Sequence, residues 1–162
     1  MGNTLVQTQM NEVKTFLETT VNEFETFLNT TTLNDLLQEQ EADPAYYKSI
    51  LSNLRRLLVF CEEGLDACNI ILKNEPFSKQ AAEKSLYRIY HQCIDEFFSP
   101  KSDTWFEDSR SAYTGHHSIK FRADIPEKIK RVFRDLESSF QKIREELEYY
   151  ETNYRTKMLQ TK

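Results

Sequence analysis

Glycine and proline are scarce in this sequence: 162 residues contain three glycines and four prolines. Because these two residues dominate tight turns, their scarcity excludes a fold built from many short strands and loops. Isoleucine and valine, which a sheet needs in quantity, are outnumbered by leucine, glutamate, lysine and glutamine, which lose little rotamer freedom in a helix. We therefore expect an all-α protein.

Long apolar runs and an excess of basic charge are also missing. The hydrophobic stretches are far shorter than the roughly 20 residues that a membrane-spanning helix needs, and no signal peptide is recognisable. The net charge of −5 and the pI near 5.3 repel a phosphate backbone. We expect a cytoplasmic protein that binds neither membranes nor nucleic acid.

Patterns that hold metals or disulfides are absent as well. Cys61, Cys68 and Cys93 are odd in number and lie in apolar helical surroundings, without a Cys-x-x-Cys pair, which indicates reduced thiols used as small core residues. There is no Glu-x-x-His pair, so the di-iron site of some helical bundles is not expected. The sequence predicts no metal and no cofactor.

Four helical stripes are present instead. Apolar residues recur at steps of three and four, which is the spacing of one helix face. Short connections between the first three stripes favour antiparallel neighbours, and the length suits a single domain, residues 1–162. We predict an antiparallel up-down-up-down four-helix bundle. The stripes cover residues 6–28, 47–72, 82–97 and 129–154, with a short helical turn at 33–40.

Local signals place the ends of these helices. Asp43 followed by Pro44 starts the second helix and Ser78 caps the third, while Asp124 with Glu127 has the spacing of a capping box for the fourth. Gly64 lies inside the second helix, where its helix propensity is poor, so we expect a close helix crossing or a slight bend there.

One segment, residues 99–123, lies outside the stripes. It shows no helical period and exceeds the roughly 12 to 15 residues expected of an ordinary structureless loop, and such long loops are often functional. Its second half, residues 109–122, alternates weakly around Thr114-Gly115, which is compatible with a β-hairpin. We therefore expect an irregular insert, with a hairpin as one form of it, between the third and fourth helices.

Four strings in the chain carry a resemblance to a known family. They are LRRLLVFCEEGLDAC, LYRIYHQCIDEFFSP, SRSAYTG and IREELEYYETNYRTKM, and they resemble a YpuI-type family of small bacterial proteins over nearly the whole chain. The strings contain no recognised catalytic signature. The resemblance implies a stand-alone cytosolic helical protein and assigns no activity to it.

The insert and the third helix provide candidate ligand-binding residues, namely Arg88, His91, Trp105, Arg110 and Tyr113. Aromatic rings beside cationic side chains can hold a base or a phosphate. In the alternative interpretation, the aromatic residues pin the insert onto the end of the bundle and the charges are solvated. These residues support one hypothesis: a binder of a small anion or nucleotide, or an enzyme, with its pocket under the insert.

A histidine on the third helix has its own alternatives. Tyr87, His91 and Asp95 stack at four-residue intervals on one helix face, and a carboxylate beside a histidine can orient it for acid-base chemistry. The alternative is a boundary histidine whose hydrogen bond is made by a helical neighbour.

The aromatic end of the fourth helix supports the leading hypothesis. Tyr149, Tyr150, Tyr154 and Met158 are candidate interface residues, because tyrosine is partly apolar and partly hydrogen-bonding and is enriched at interfaces. We predict a non-enzymatic protein-interaction or regulatory module that binds a protein partner or forms a homodimer, with no catalytic residues.

Overall fold

The protein is mostly helical, as its composition predicted. A computed structural model describes residues 2–108 and 117–160, and helices account for 78% of the described residues. The elements are α1 (Asn3–Thr30), α2 (Leu33–Glu39), α3 (Pro44–Lys73), α4 (Lys79–Ile89), a π-helical segment (Tyr90–Ile94), α5 (Asp95–Phe98), β1 (Trp105–Glu107), β2 (Ile119–Phe121), α6 (Glu127–Glu146) and α7 (Glu148–Gln160).

The predicted caps of α3 and α4 are present. The Asp43 side chain accepts a hydrogen bond from the backbone of the first turn of α3, and Ser78 does the same for α4. Such caps satisfy backbone N–H groups that have no partner within the helix. The predicted capping box of α6 is wrong: the helix begins at Glu127, and no side chain caps it. Its first turn relies on the fixed φ of Pro126 instead.

Three helices meet closely at Gly64. A Cβ atom built on this residue would lie 3.0 Å from Ile89 Cγ1 of α4 and 3.2 Å from Leu17 Cδ1 of α1. Only a residue without a side chain lets α1 and α4 come this near to the backbone of α3. The close crossing expected at this glycine is therefore present.

The centre of the core is aromatic. Phe140 of α6 stacks on Phe97 of α5 with ring centroids 3.9 Å apart and makes an edge contact with Phe16 of α1 at 4.8 Å. Phe24 and Phe140 are fully buried. Offset and edge-to-face ring pairs add stability beyond the area that they bury, so these rings join α1, α5 and α6.

The insert contains a short antiparallel hairpin. Its register pairs Trp105 with Phe121, and Glu107 with Ile119. A hairpin was one form of the insert that the sequence allowed. We expected residues 109–122 to form it, but its first strand begins earlier, at Trp105. The predicted turn at Thr114-Gly115 lies outside the described residues.

The last predicted helix is divided in two. The backbone leaves helical geometry at Leu147, with φ −101° and ψ 11°, between α6 and α7. Leu147 itself is fully buried, so the apolar stripe continues through the break and gave no signal of it. The break lies directly before the tyrosines of α7.

Candidate functional site

A wide helical turn lies at the centre of the candidate site. In the π-helical segment, the backbone N–H of Asp95 donates to the carbonyl of Tyr90, five residues back. One row of buried residues recurs here at four-residue steps, Ala82, Leu86, Tyr90, Ile94 and Phe98, beside a second buried row formed by Ile89, Cys93 and Phe97. That spacing exceeds the 3.6-residue period of an α-helix, and a wider turn keeps these residues on the buried side of the helix. This run of four-residue steps is the sequence signal from which the segment could have been predicted.

His91 and Asp95 form a pair on this segment. His91 Nδ1 lies 3.1 Å from Asp95 Oδ2, as their four-residue spacing predicted, and the imidazole packs 4.5 Å from the Tyr87 ring. Within the described part of the chain, the buried Nε2 atom of His91 has no hydrogen-bond partner. Burial raises the pKa of Asp95, against the opposing attraction of His91. The pair is thus an oriented imidazole beside a carboxyl group whose ionisation is disfavoured.

Tyr90 lies at the edge of a concavity between the π-helical segment and the junction of α6 with α7. Burial raises the pKa of the Tyr90 phenol, and the Glu151 carboxylate, which accepts its hydrogen bond, raises it further. The concavity has a volume of about 660 Å³. Its lining comprises Tyr90, Gln141, Arg144, Glu145, Glu148 and Glu151.

Arg144 connects this concavity to the hairpin. Its guanidinium donates two hydrogen bonds to the Glu107 carboxylate, at 3.0 and 2.6 Å, and lies 3.7 Å from the centre of the Phe98 ring. Burial lowers the pKa of Arg144, but the Glu107 carboxylate together with Tyr90 and Glu145 outweighs burial, and the net shift is upward. Because Glu107 neutralises this cation, the glutamates leave the concavity acidic.

The hairpin is fixed to the helices by directional bonds. Trp105 is buried, and its Nε1–H donates to the Phe97 carbonyl at 2.7 Å. Thr104 accepts two bonds from α3: its hydroxyl oxygen accepts from the Asn53 amide at 2.6 Å, and its carbonyl accepts from the Tyr46 hydroxyl at 2.7 Å. These contacts agree with the interpretation in which aromatic residues pin the insert.

The candidate ligand-binding residues are not gathered around one pocket in the described residues. Arg88 is exposed on α4, His91 is half-buried, and Trp105 belongs to the core. Arg110 and Tyr113 lie outside the described residues. Within residues 2–108 and 117–160, no hydrogen bond, ion pair or ring contact joins Arg88 or His91 to Trp105.

Two cavities border the hairpin. One, of about 240 Å³, lies between β2 and α6, and another, of about 350 Å³, lies beside β1. The second includes Arg122, whose guanidinium is already bound to Asp103 at 2.7 Å and stacked on Phe106. A cation engaged in this way has little left to offer an anionic ligand, so the geometry of this second cavity does not favour the alternative of an anion or nucleotide pocket.

The predicted interface residues are split between the core and the surface. Tyr150 and Tyr154 are buried, and the Tyr150 hydroxyl donates to Gln9 Oε1 at 3.1 Å. Tyr149 and Met158 are half-buried and pack against the core cluster. An interface role for these four residues stays a prediction. Because Tyr150 and Tyr154 are buried, they can contribute to an interface only by supporting α7 from beneath.

Sequence reasoning missed a groove between α1 and α6. It measures about 560 Å³ and has Phe16 and Ile143 among its lining residues. The hydroxyls of Thr8 and Thr15 on its α1 side donate to carbonyls of their own helix. Because these hydroxyl protons are already used, this wall of the groove is less polar than a row of threonines would suggest. The recurrence of polar residues along one side of α1, at Thr8, Asn11, Thr15 and Thr19, was the available signal.

Metal and membrane features were also searched for in the described residues. No group of three histidine, cysteine or acidic side chains there is placed to hold a metal ion. Cys61, Cys68 and Cys93 are free and buried, and contact with Cys61 raises the pKa of Cys93. No described helix combines the length and the apolarity needed to span a bilayer.

These features define a class: a mostly helical protein with a π-helical turn and a small hairpin fixed to its flank. The chain belongs to the family described as "Protein of unknown function (DUF3907)", whose model matches residues 10–156. It is 44% identical over 153 residues to "Uncharacterized protein YpuI" of Bacillus subtilis (strain 168), a match that covers 94% of this chain and 86% of the relative. The YpuI-type resemblance is thereby confirmed. No solved structure gives a significant match.

Proposed function

We propose that this protein is a non-enzymatic protein-interaction module that binds a protein partner through the surface of α7. The observation that carries the proposal is Leu159, which is 64% exposed and is the most exposed large hydrophobic side chain of the described residues. Exposed apolar side chains that are grouped with others, rather than scattered singly, mark interaction surfaces. Met158 is adjacent and half-buried.

The binding surface is one side of α7, which we call the α7 strip. It comprises Glu148, Glu151, Arg155, Met158 and Leu159. These residues are separated by three, four, three and one positions, so at about 100° per residue they project from the same side of the helix. All are exposed except Met158. Charged residues around an apolar pair give the arrangement of an interface with a polar rim.

The buried tyrosines beneath the strip support it. Tyr150 and Tyr154 have ring centroids 5.6 Å apart, and Tyr154 packs 5.5 Å from Tyr87 of α4. A helix held from below by aromatic packing presents its outer side in one orientation, and this lowers the entropy cost of binding. The predicted interface residues thus contribute in two ways, Tyr149 and Met158 at the margin and Tyr150 and Tyr154 underneath.

The polar groups near the π-helical segment support a non-catalytic role. His91 is paired with Asp95, Arg144 with Glu107, and Tyr90 with Glu151. Each pair joins groups of the protein itself, which is the arrangement of a structural network, although the Nε2 atom of His91 has no partner in the described residues.

The proposal extends to the architecture and the setting of the protein. We take the chain as one domain, residues 1–162, built as an antiparallel up-down-up-down four-helix bundle that carries the hairpin. The support is that α1, α3 and α6 all contribute buried residues to one core cluster. The free, buried thiols support a cytoplasmic setting, and the net charge of −5 supports a protein partner rather than nucleic acid.

Site-specific photo-crosslinking in living cells tests this function. Benzoylphenylalanine placed at Leu159 should give a defined adduct with a protein that mass spectrometry identifies. The matched control carries the same group at Lys130, an exposed position on α6. Lack of any adduct at position 159, or the same adducts from both positions, would refute the proposal.

A further inference from the structure

We infer that the partner is a second copy of this chain, bound so that the two α7 helices run antiparallel and each places its C-terminal half against the acidic concavity of the other copy. The inference rests on the proposed function and names its partner. The concavity is the surface defined above, with Glu145, Glu148 and Glu151 among its lining residues. It lies beside the first half of the α7 strip.

Charge complementarity identifies the second copy as the occupant. The first half of the α7 strip is acidic, with Glu148 and Glu151, whereas its second half carries Arg155 and the apolar Met158 and Leu159. The concavity adds Glu145, and its own cation, Arg144, is bound to Glu107 at 2.6 Å. The acidic half is complementary to a basic surface, which Arg155 in the other half of the same helix provides, and the exposed Leu159 beside it gains by leaving water.

The antiparallel direction follows from this asymmetry. A two-fold axis at the level of residue 153, on the side of the helix that carries the α7 strip, places Arg155 of each copy opposite Glu151 of the other, because both residues lie two positions from that level. The same operation brings Leu159 to the level of Leu147, at the end of α6 beside the concavity. A parallel pair would place like charges opposite each other, which costs energy. Antiparallel helix dipoles also attract rather than repel.

The size of the surface indicates a reversible dimer. The 13 residues of α7 extend over about 20 Å at 1.5 Å per residue, and the concavity of about 660 Å³ has room for the Leu159 and Arg155 side chains. One helix pair buries an area at the low end of specific interfaces. A two-fold arrangement uses each contact twice, which is the usual design of homodimers.

Charge reversal with sedimentation equilibrium tests the inference. The wild-type chain should show a concentration-dependent monomer–dimer equilibrium. Arg155→Glu and Glu151→Arg should each raise the dimer Kd by about tenfold or more, because each replaces two attractive pairs by repulsive ones. The double variant should restore the wild-type Kd. An equimolar mixture of the two single variants should also associate, because one variant then carries carboxylates at both positions and the other carries guanidinium groups at both.

The controls separate this inference from folding effects and from the proposed function. Arg131→Glu, an exposed position on α6, makes the same charge change and should leave the Kd unchanged. Leu159→Asp lies away from the Tyr90–Glu151 hydrogen bond and should weaken the dimer, with an unchanged unfolding midpoint at concentrations where the wild type is monomeric. A wild-type chain that stays monomeric at all concentrations, or a double variant that stays as weak as the single ones, overturns the second-copy inference. In that case, an adduct from position 159 to a different protein still supports the proposed function.

Discussion

The helical body and the hairpin are held in different ways. In the body, stripes from α1, α3 and α6 bury apolar and aromatic side chains against one another, and Phe140 touches rings from two other helices. The hairpin has strands of three residues each and packs Trp105 and Phe121 against Phe133 of α6. Its position depends in addition on directional bonds at Thr104, Trp105 and Glu107. Area-dependent packing tolerates small shifts, whereas a hydrogen bond is lost when its partner moves by an ångström.

The largest effect is expected from Phe140→Ala in the body. It removes a fully buried ring from the contacts with Phe16 and Phe97 and should lower the free energy of unfolding by about 3–5 kcal/mol. Urea denaturation followed by circular dichroism measures the change. Phe106→Ala on the hairpin is the control, since that ring is 36% exposed, and it should cost less than about 1 kcal/mol. Equal losses for the two variants would show that body and hairpin are held alike.

An intermediate and local effect is expected from Thr104→Val. The change keeps the shape of the side chain but leaves the Asn53 amide without the acceptor that it has at 2.6 Å, which costs about 1–3 kcal/mol. Hydrogen exchange should accelerate at residues 104–108 and 117–122 and stay unchanged in α1 and α6.

The control for this change is Thr15→Val, where an exposed hydroxyl bonds to its own helix and little loss is expected. Faster exchange spread over all helices after Thr104→Val would mean that the hairpin and the body unfold together.

The smallest effect is expected from Asp95→Asn, on the polar flank that lies between the two regions. Burial raises the pKa of Asp95, so the folded state favours the protonated carboxyl. That contribution is fully present below the unfolded pKa of about 3.9 and is lost as the pH rises through the higher folded value. Asparagine avoids this loss. The variant should therefore be more stable than the wild type at neutral pH, by less than about 1 kcal/mol because the Asp95 side chain is 49% exposed.

Thermal unfolding of Asp95→Asn at several pH values measures this difference, which should vanish at acidic pH. Asp66→Asn, at an exposed position on α3, is the matched control. A less stable Asp95→Asn protein at neutral pH would show that the attraction to His91 outweighs burial.

The same contrast explains what the sequence could predict. The stripe of α6, from Ile129 through Phe140 to Leu147, is periodic, and periodic burial can be read from residue spacing. The bonds that position the hairpin carry no such signal: Arg144 and Glu107 are 37 residues apart, and nothing in the spacing pairs them. The break at Leu147 was hidden for a related reason, because a buried leucine fits the stripe whether the helix continues or ends.

Part of the candidate site was within reach of sequence reasoning. The four-residue spacing of His91 and Asp95 predicted their contact, and the tyrosine-rich end of the chain drew attention to α7. The acidic concavity was not predicted, because it depends on the neutralisation of Arg144 by a residue of the hairpin. This surface is composed of α6, α7 and the π-helical segment. Predicting it requires knowing how these elements are placed relative to one another, and no single stretch of sequence contains that information.

The wide turn at Tyr90–Ile94 holds one residue more than a regular helical turn. Deleting Gln92 would therefore let a regular α-helix form, with the hydrogen bond of Asp95 to Tyr90 shortened to the ordinary spacing, while the residues on either side keep their faces. The Phe97 carbonyl would still lie within reach of the Trp105 indole, so the hairpin would keep its anchor. A relative with one residue fewer in this turn can therefore attach its hairpin at the same place.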